Sequence, residues 1–176
     1  MKKVKVATVW LDGCAGCHMS LLDMDAGILT VARKADLVYG PLVDAQEFPE
    51  EVDVTLVEGA VSTQEDVNKI HKIRQATRTL ISMGDCAITG NVPAMRNSIP
   101  VPKLLNCIYV DQAQENRAVP TDRVPALMKQ ARPVRDYVKV DLYLPGCPPS
   151  SQAISGAINS LLEGRKVEPD SKQKFG

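Results

Sequence analysis

The stretch KKVKVATVWLDGCAGCHMSLLD, residues 2–23, decides the fold. Its first ten residues alternate and then turn wholly apolar, as a buried strand of a parallel sheet does. Beyond Gly13 the period changes. From His18 to about Arg33 the apolar positions Leu21, Met24, Ile28 and Val31 recur at helical spacing, joined by Leu22 and Leu29. Between strand and helix sit Cys14 and Cys17, a CxxC pair. Strand, turn and helix form the first unit of an α/β domain. They set two thiols at a strand's carboxyl end, where open parallel sheets place their sites.

The same alternation continues along the chain. ADLVYG (35–40) reads as a short strand closed by Gly40-Pro41, and VDVTLVEG (52–59) as a β-branched strand. Val61 and Ser62 lead into a helix with Val67, Ile70, Ile73 and Ala76 on one face. RTLISMG (78–84) is a third strong strand. YVKVDLYLPG (137–146) reads as the last one. A final helix over about 150–163 is capped by Ser150 or Ser151, presents Ile154, Ala157, Ile158, Leu161 and Leu162, and stops at Gly164. Residues 91–135 differ. Pro93, Pro100, Pro102, Pro120, Pro125 and Pro133 fall there, half of the chain's 12 prolines, so an ordered, loop-rich insertion is expected. Alternating strands and helices predict an α/β fold with a mostly parallel sheet, helices on both faces, right-handed crossovers and flavodoxin-like topology. Residues 1–164 are expected to form one domain and 165–176 a polar C-terminal tail.

Composition excludes several functions. Lys plus Arg and Asp plus Glu stand at 21 each, so no net field recruits nucleic acid or an anionic membrane. Aromatics at 4% supply no stacking platform for single-stranded nucleic acid. No apolar run approaches the roughly 20 residues that span a bilayer. Lys2 and Lys3 precede a strand pattern rather than a signal-peptide core, and no twin-arginine leader is present. The expectation is a cytoplasmic protein with no nucleic-acid or membrane partner. No GxGxxG and no Walker A loop appears, so no nucleotide site is read. A flavodoxin-like sheet could hold FMN, but no residue here supports one.

Five cysteines in a chain without an export signal point to metal ligation or thiol chemistry rather than disulfides. Cys14 and Cys17 follow the first strand, Cys86 the strand ending at Met83, and Cys147 the last strand. All four therefore emerge on one edge of the sheet. Their settings are DGCAGC, GDCAITG and PGCPP. The glycines let backbone approach a bulky inorganic core, and tight turns aim N–H groups at anionic sulfur. A thioredoxin-like dithiol needs only the CxxC pair and leaves Cys86 and Cys147 unexplained. A structural zinc usually takes two paired hooks, where this chain has one hook and two isolated cysteines. Cys86 and Cys147 could also be buried small hydrophobes. One 4Fe–4S cluster fits number, flanks and placement together. Cys107, inside the apolar run KLLNCIYV, does not share the placement and reads as an inert core thiol of a strand.

CAGC after the first strand, VEG after a middle strand, GDCAITGNVP after a third and LPGCPP near the end resemble, in order, the small-subunit pattern of nickel–iron hydrogenases. The 20-kilodalton subunit of respiratory complex I shares that ancestry. The resemblance runs over roughly residues 4–163. The complex I subunit typically has two adjacent cysteines in its first motif, whereas Cys14 and Cys17 are separated, as in hydrogenases. Many hydrogenase small subunits continue into a second half with further ligands, and this chain stops at 176 with only Cys107 to spare. It is thus similar to the small subunit of soluble, NAD-reducing (bidirectional) hydrogenases.

The resemblance implies a subunit of an H2:NAD+ oxidoreductase complex with no catalytic residue of its own. Cys14, Cys17, Cys86 and Cys147 would ligate the proximal 4Fe–4S cluster. It would carry electrons between the nickel–iron centre of a large subunit and diaphorase subunits that hold FMN, further clusters and NAD. Residues 91–135 and the first helix would face the partner. Two other readings stand beside it: a complex I-like quinone-reductase cluster subunit, and a zinc-stabilised interaction module.

Glu58 ends a strand on the same edge. The resemblance places it near the cluster, where a carboxylate could couple proton uptake to electron transfer. Glu58→Gln would then alter the pH dependence of the cluster potential, and an unchanged slope would remove the idea. His18 reads as a helix-start residue facing solvent or a partner, with a hydrogen bond to sulfur as the alternative. Asp12 and Asp85 suit turns. Asp23, Asp25, Arg33 and Lys34 read as a solvated helix face, and Trp10 as core.

Overall fold

The computed structural model describes residues 3–165 and 167. Apart from Arg165 and Val167, the expected polar tail at 165–176 lies outside the described residues. In chain order the elements are β1 (Val4–Trp10), α1 (Gly16–Leu22), α2 (Gly27–Lys34), β2 (Ala35–Tyr39), β3 (Val52–Glu58), β4 (Val61–Thr63), α3 (Gln64–Ala76) and β5 (Thr77–Met83). Then follow α4 (Asp85–Thr89), α5 (Asn91–Ala94), α6 (Val101–Asn106), β6 (Leu127–Arg132), β7 (Leu142–Leu144) and α7 (Ser151–Leu162).

Five strands form one sheet in the order β2-β1-β3-β5-β7, every pair parallel. This is the flavodoxin-like order that alternating strands and helices predict. The central strands read as continuous apolar runs because both faces are covered. On one face Val6, Val54, Leu56, Ile81, Met83 and Leu144 pack under α1 and α7. On the other, Val9, Val57 and Leu80 pack under Ile70 and Ile73 of α3 and Ala87 of α4. Thr63 caps α3 by accepting the Asp66 N–H at 3.1 Å, while Asp66 accepts the Thr63 N–H at 2.9 Å. Ser150 caps α7 through the Ala153 N–H, as its position predicts.

Three local expectations are corrected. The single helix expected from His18 to Arg33 is two, because Asp25 turns left-handed (φ 48°) and Gly27 restarts the helix. Asp and Gly are poor interior helix residues, and here they set the break. Val61 and Ser62 do not simply lead into α3. They form β4, antiparallel to β6, with Val61 opposite Arg132 and Thr63 opposite Leu127.

The third correction concerns the last strand, which is only three residues long. Over residues 137–141 the chain instead passes through a turn beginning at Val134–Asp136. Asp141 stands in for strand pairing: its carboxylate accepts the Leu80 N–H at 2.9 Å and the Arg74 guanidinium at 2.6 Å. Burial opposes ionisation of Asp141, but these two donors outweigh it and hold the carboxyl below its usual range. The proline-rich stretch is loop-rich as expected, with only short elements and an irregular run over 112–126. Its α5–α6 segment is pinned to β6 where Asn97 both accepts the Ala131 N–H and donates to the Ala131 carbonyl, each at 2.8 Å.

Candidate iron–sulfur site

β1 delivers the first two thiols. Beyond Trp10 the chain stays beside β3: Leu11 N–H donates to Glu58 O at 2.8 Å, and Asp12 and Ala60 exchange backbone bonds at 3.0 and 2.8 Å. Asp12 also accepts the Ser62 hydroxyl, a long-range bond rather than the local turn role its position suggested. The backbones approach so closely that a methyl on Gly13 would lie 3.2 Å from Gly59 Cα. Ala15 then adopts φ 65° and opens α1, whose first full bond runs from Met19 N–H to Ala15 O.

Glu58 holds this turn in place. Its carboxylate, 2% exposed, accepts the Cys17 N–H at 3.4 Å and the His18 N–H at 2.9 Å, and pairs with His18 Nδ1. A carboxylate at the first N–H groups of a helix satisfies donors that no helical carbonyl can reach. His18 is therefore 3% exposed and faces neither solvent nor a partner, contrary to the sequence expectation. Its Nε2 is enclosed by protein without a hydrogen-bond partner, so the structure gives no support to a bond from it to sulfur. Trp10, expected in the core, is 44% exposed, with Nε1 donating to Gly13 O at 3.1 Å.

The other two thiols arrive together. Gly84 N–H donates to Leu144 O at 2.8 Å, and Asp85 N–H to Gly146 O at 3.0 Å. The Asp85 carboxylate returns the contact by accepting Gly146 N–H at 2.8 Å. These bonds draw GDC and PGC into register, so Cys86 and Cys147 share one end of the β5–β7 pair. The Ser20 hydroxyl donates to Pro149 O, tying α1 to the same loop. Gly84, at φ 84°, faces Cys17 so closely that a methyl there would overlap its sulfur.

Cys14, Cys86 and Cys147 act electrostatically on Cys17, and Cys14 and Cys147 on Cys86. Burial pushes Cys17 far above the ordinary thiol range, and Glu58, Cys86, Cys14 and Cys147 push it further. Burial also raises Cys86. The Val92 N–H partly offsets this, and Cys147, Cys14 and Glu58 add to it. Cys14 and Cys147 are exposed, Cys86 half-buried and Cys17 buried. Four soft thiols at one edge of the sheet, two of them held from ionising by burial and by the neighbouring sulfurs, suit a cationic, thiophilic core. Glycine close approach, the Val92 backbone N–H at Cys86 and the Asn91 amide at Cys147 fit that donor set. Among the described residues no three His, Cys, Asp or Glu side chains gather closely enough to hold a single metal ion. Cys107 stands apart. It lies half-buried in the helical turn Cys107–Asp111, with Gln112 Nε2 at 3.5 Å from its sulfur, not inside a strand core.

The chain belongs to the family described as NADH ubiquinone oxidoreductase, 20 Kd subunit, whose match runs over residues 14–161. It is 36% identical to the NAD-reducing hydrogenase HoxS subunit delta of Cupriavidus necator, over 98% of this chain and 86% of that one. It is 39% identical to a subunit of the F420-non-reducing hydrogenase vhu of Methanocaldococcus jannaschii, over 96% of this chain but only 59% of that protein's length. A crystal structure of a NAD+-reducing [NiFe]-hydrogenase contains a chain that superposes with a TM-score of 0.94 at 36% identity, covering 98% of both chains.

Proposed function

We propose that this chain is the electron-transfer small subunit of a cytoplasmic nickel–iron hydrogenase that reduces NAD. Cys14, Cys17, Cys86 and Cys147 would hold one 4Fe–4S cluster, the one proximal to the nickel–iron centre of a large subunit. On the other side would lie diaphorase subunits with FMN, further clusters and NAD. When bound, such a cluster supplies one-electron transfer.

The observation that carries this reading is the convergence of four thiols from three strand ends into one electrostatic site, two of them at the surface. The identity to the Cupriavidus necator subunit over nearly the whole chain supports it. This chain's own residues would do the rest. Glu58 fixes the CxxC turn, Asp85 ties the two later cysteines together, and the apolar faces of the sheet keep water from the buried side. Exposed Met19 lies on α1, Val92 on α5 and Met95 just beyond it, in the segments expected to face the large subunit. Among the described residues no helix is long and apolar enough to cross a membrane.

The test is iron, sulfide, zinc and nickel content, with an EPR spectrum, on the anaerobically purified complex. About four iron and four sulfide for each copy of this chain, with a nickel-containing partner, is the expected result. About one zinc and no sulfide would sink it and favour the zinc-stabilised module. The family match keeps the complex I-like quinone-reductase reading in view. It predicts reduction of a quinone rather than NAD+ by the same preparation.

A further inference from the structure

After α4 the chain makes an unusual reversal. Gly90 ends the helix at φ 91° and Asn91 follows at φ 29°, two successive left-handed residues. Gly90 N–H closes the helix on Cys86 O at 3.0 Å, and Asn91 N–H meets the Thr89 hydroxyl at 3.3 Å. The reversal turns the next two residues back over the thiols. Asn91 Nδ2 lies 3.5 Å from Cys147 Sγ, and the Val92 N–H donates to Cys86. Adjacent residues thus serve two thiols that arrive from different strands.

We propose that Asn91 is a positioning residue that sets the reduction potential of the site, its amide donating to the Cys147 sulfur as the Val92 backbone does to Cys86. The inference rests on the cluster reading above. One-electron reduction of a bound cluster would make the whole site one charge more negative. An N–H dipole aimed at a ligand sulfur stabilises the more negative state and moves the potential up. Cys147 is exposed, so a fixed donor there also takes the place of a variable water contact.

The rival explanation is conformational, since Asn tolerates a left-handed backbone better than most residues. Two variants separate the two accounts. Asn91→Gly keeps the backbone freedom and removes the donor. Asn91→Asp keeps the shape and replaces the donor with a carboxylate. The measurement is an EPR-monitored redox titration of the purified complex, with iron determined on each sample. The expected result is full iron content in both variants, a midpoint more negative than wild type in Asn91→Gly, and one more negative still in Asn91→Asp. A wild-type midpoint in Asn91→Gly overturns the proposal, and so does loss of iron from that variant. If the wild-type complex itself holds no iron and sulfide, the functional reading has failed. The proposal then falls with it, and wild-type metal content tells that case from the others.

Discussion

At the scale of single residues, Glu58 links two parts of the site that sequence spacing shows only separately. Its carboxylate takes two backbone N–H groups of α1 and the His18 ring in a buried setting. Glu58→Ala strands those partners, so a loss of about 3 kcal/mol is expected. A lowered thermal midpoint of the purified complex, with reduced iron content, would register it. Gly84→Ala is expected to be worse for the site than for the fold. The new methyl collides with the Cys17 sulfur and must also accept φ 84°. Iron should fall to background while the far-ultraviolet circular dichroism of the chain persists. The placement of Glu58 beside the cysteines was legible, because the end of an apolar strand marks the sheet's functional edge. The burial of His18 was not: nothing in the pattern around CAGCH announces that a carboxylate some 40 positions away will pull the ring inward. Trp10 misled for a related reason. An aromatic at the last residue of a buried strand sits at the rim, not in the middle, of the sheet.

At the scale of elements, the strands that pair locally in pattern were readable and those defined by a distant partner were not. β1, β3 and β5 announce themselves as apolar runs. β4 and β7 are three residues each and exist because β6 and β5 lie beside them. Asp141 carries much of the attachment of the segment before β7. Its carboxyl is depressed in the folded chain, so its stabilising contribution is complete above the ordinary carboxylate pKa of about 4 and is lost as pH falls through the lower folded value. Asp141→Asn is expected to cost about 1–2 kcal/mol at pH 7. The gap from wild type should narrow in thermal melts taken as the pH drops below about 4. On the opposite flank α2 is loosely seated. None of its residues is buried, and an apolar cavity of about 140 Å³ lies beneath it, lined by Leu21, Ile28, Val31, Ala35 and Leu37 among others. Ala35→Val adds two methyl groups to that space from a strand position that favours branching. A gain of about 1 kcal/mol, seen as a thermal midpoint raised by roughly 2–4 °C, is expected.

At the scale of the molecule, the parallel order sends β1, β3, β5 and β7 to one edge, and the four thiols follow from that alone. This was the most legible property of the chain, since glycine-flanked cysteines at three strand ends can meet only if those strands run the same way. The surface beside the site carries the proposed association. Met95 is 75% exposed at the end of α5, close in sequence to Asn91 and Val92. Met95→Lys is expected to leave iron on this chain while an affinity pull-down loses the nickel-containing partner. Retention of the partner would move the contact elsewhere. The connection between GDC and PGC has a further consequence, for how the site is made. Three thiols leave the ribosome by residue 86, but Asp85 finds Gly146, and Cys86 finds Cys147, only once the last strand has emerged and taken its place beside β5. A nascent or truncated chain that ends before residue 147 displays a hook without its closing partner. Synthesis of the last strand and completion of the proposed four-thiol set are therefore the same event.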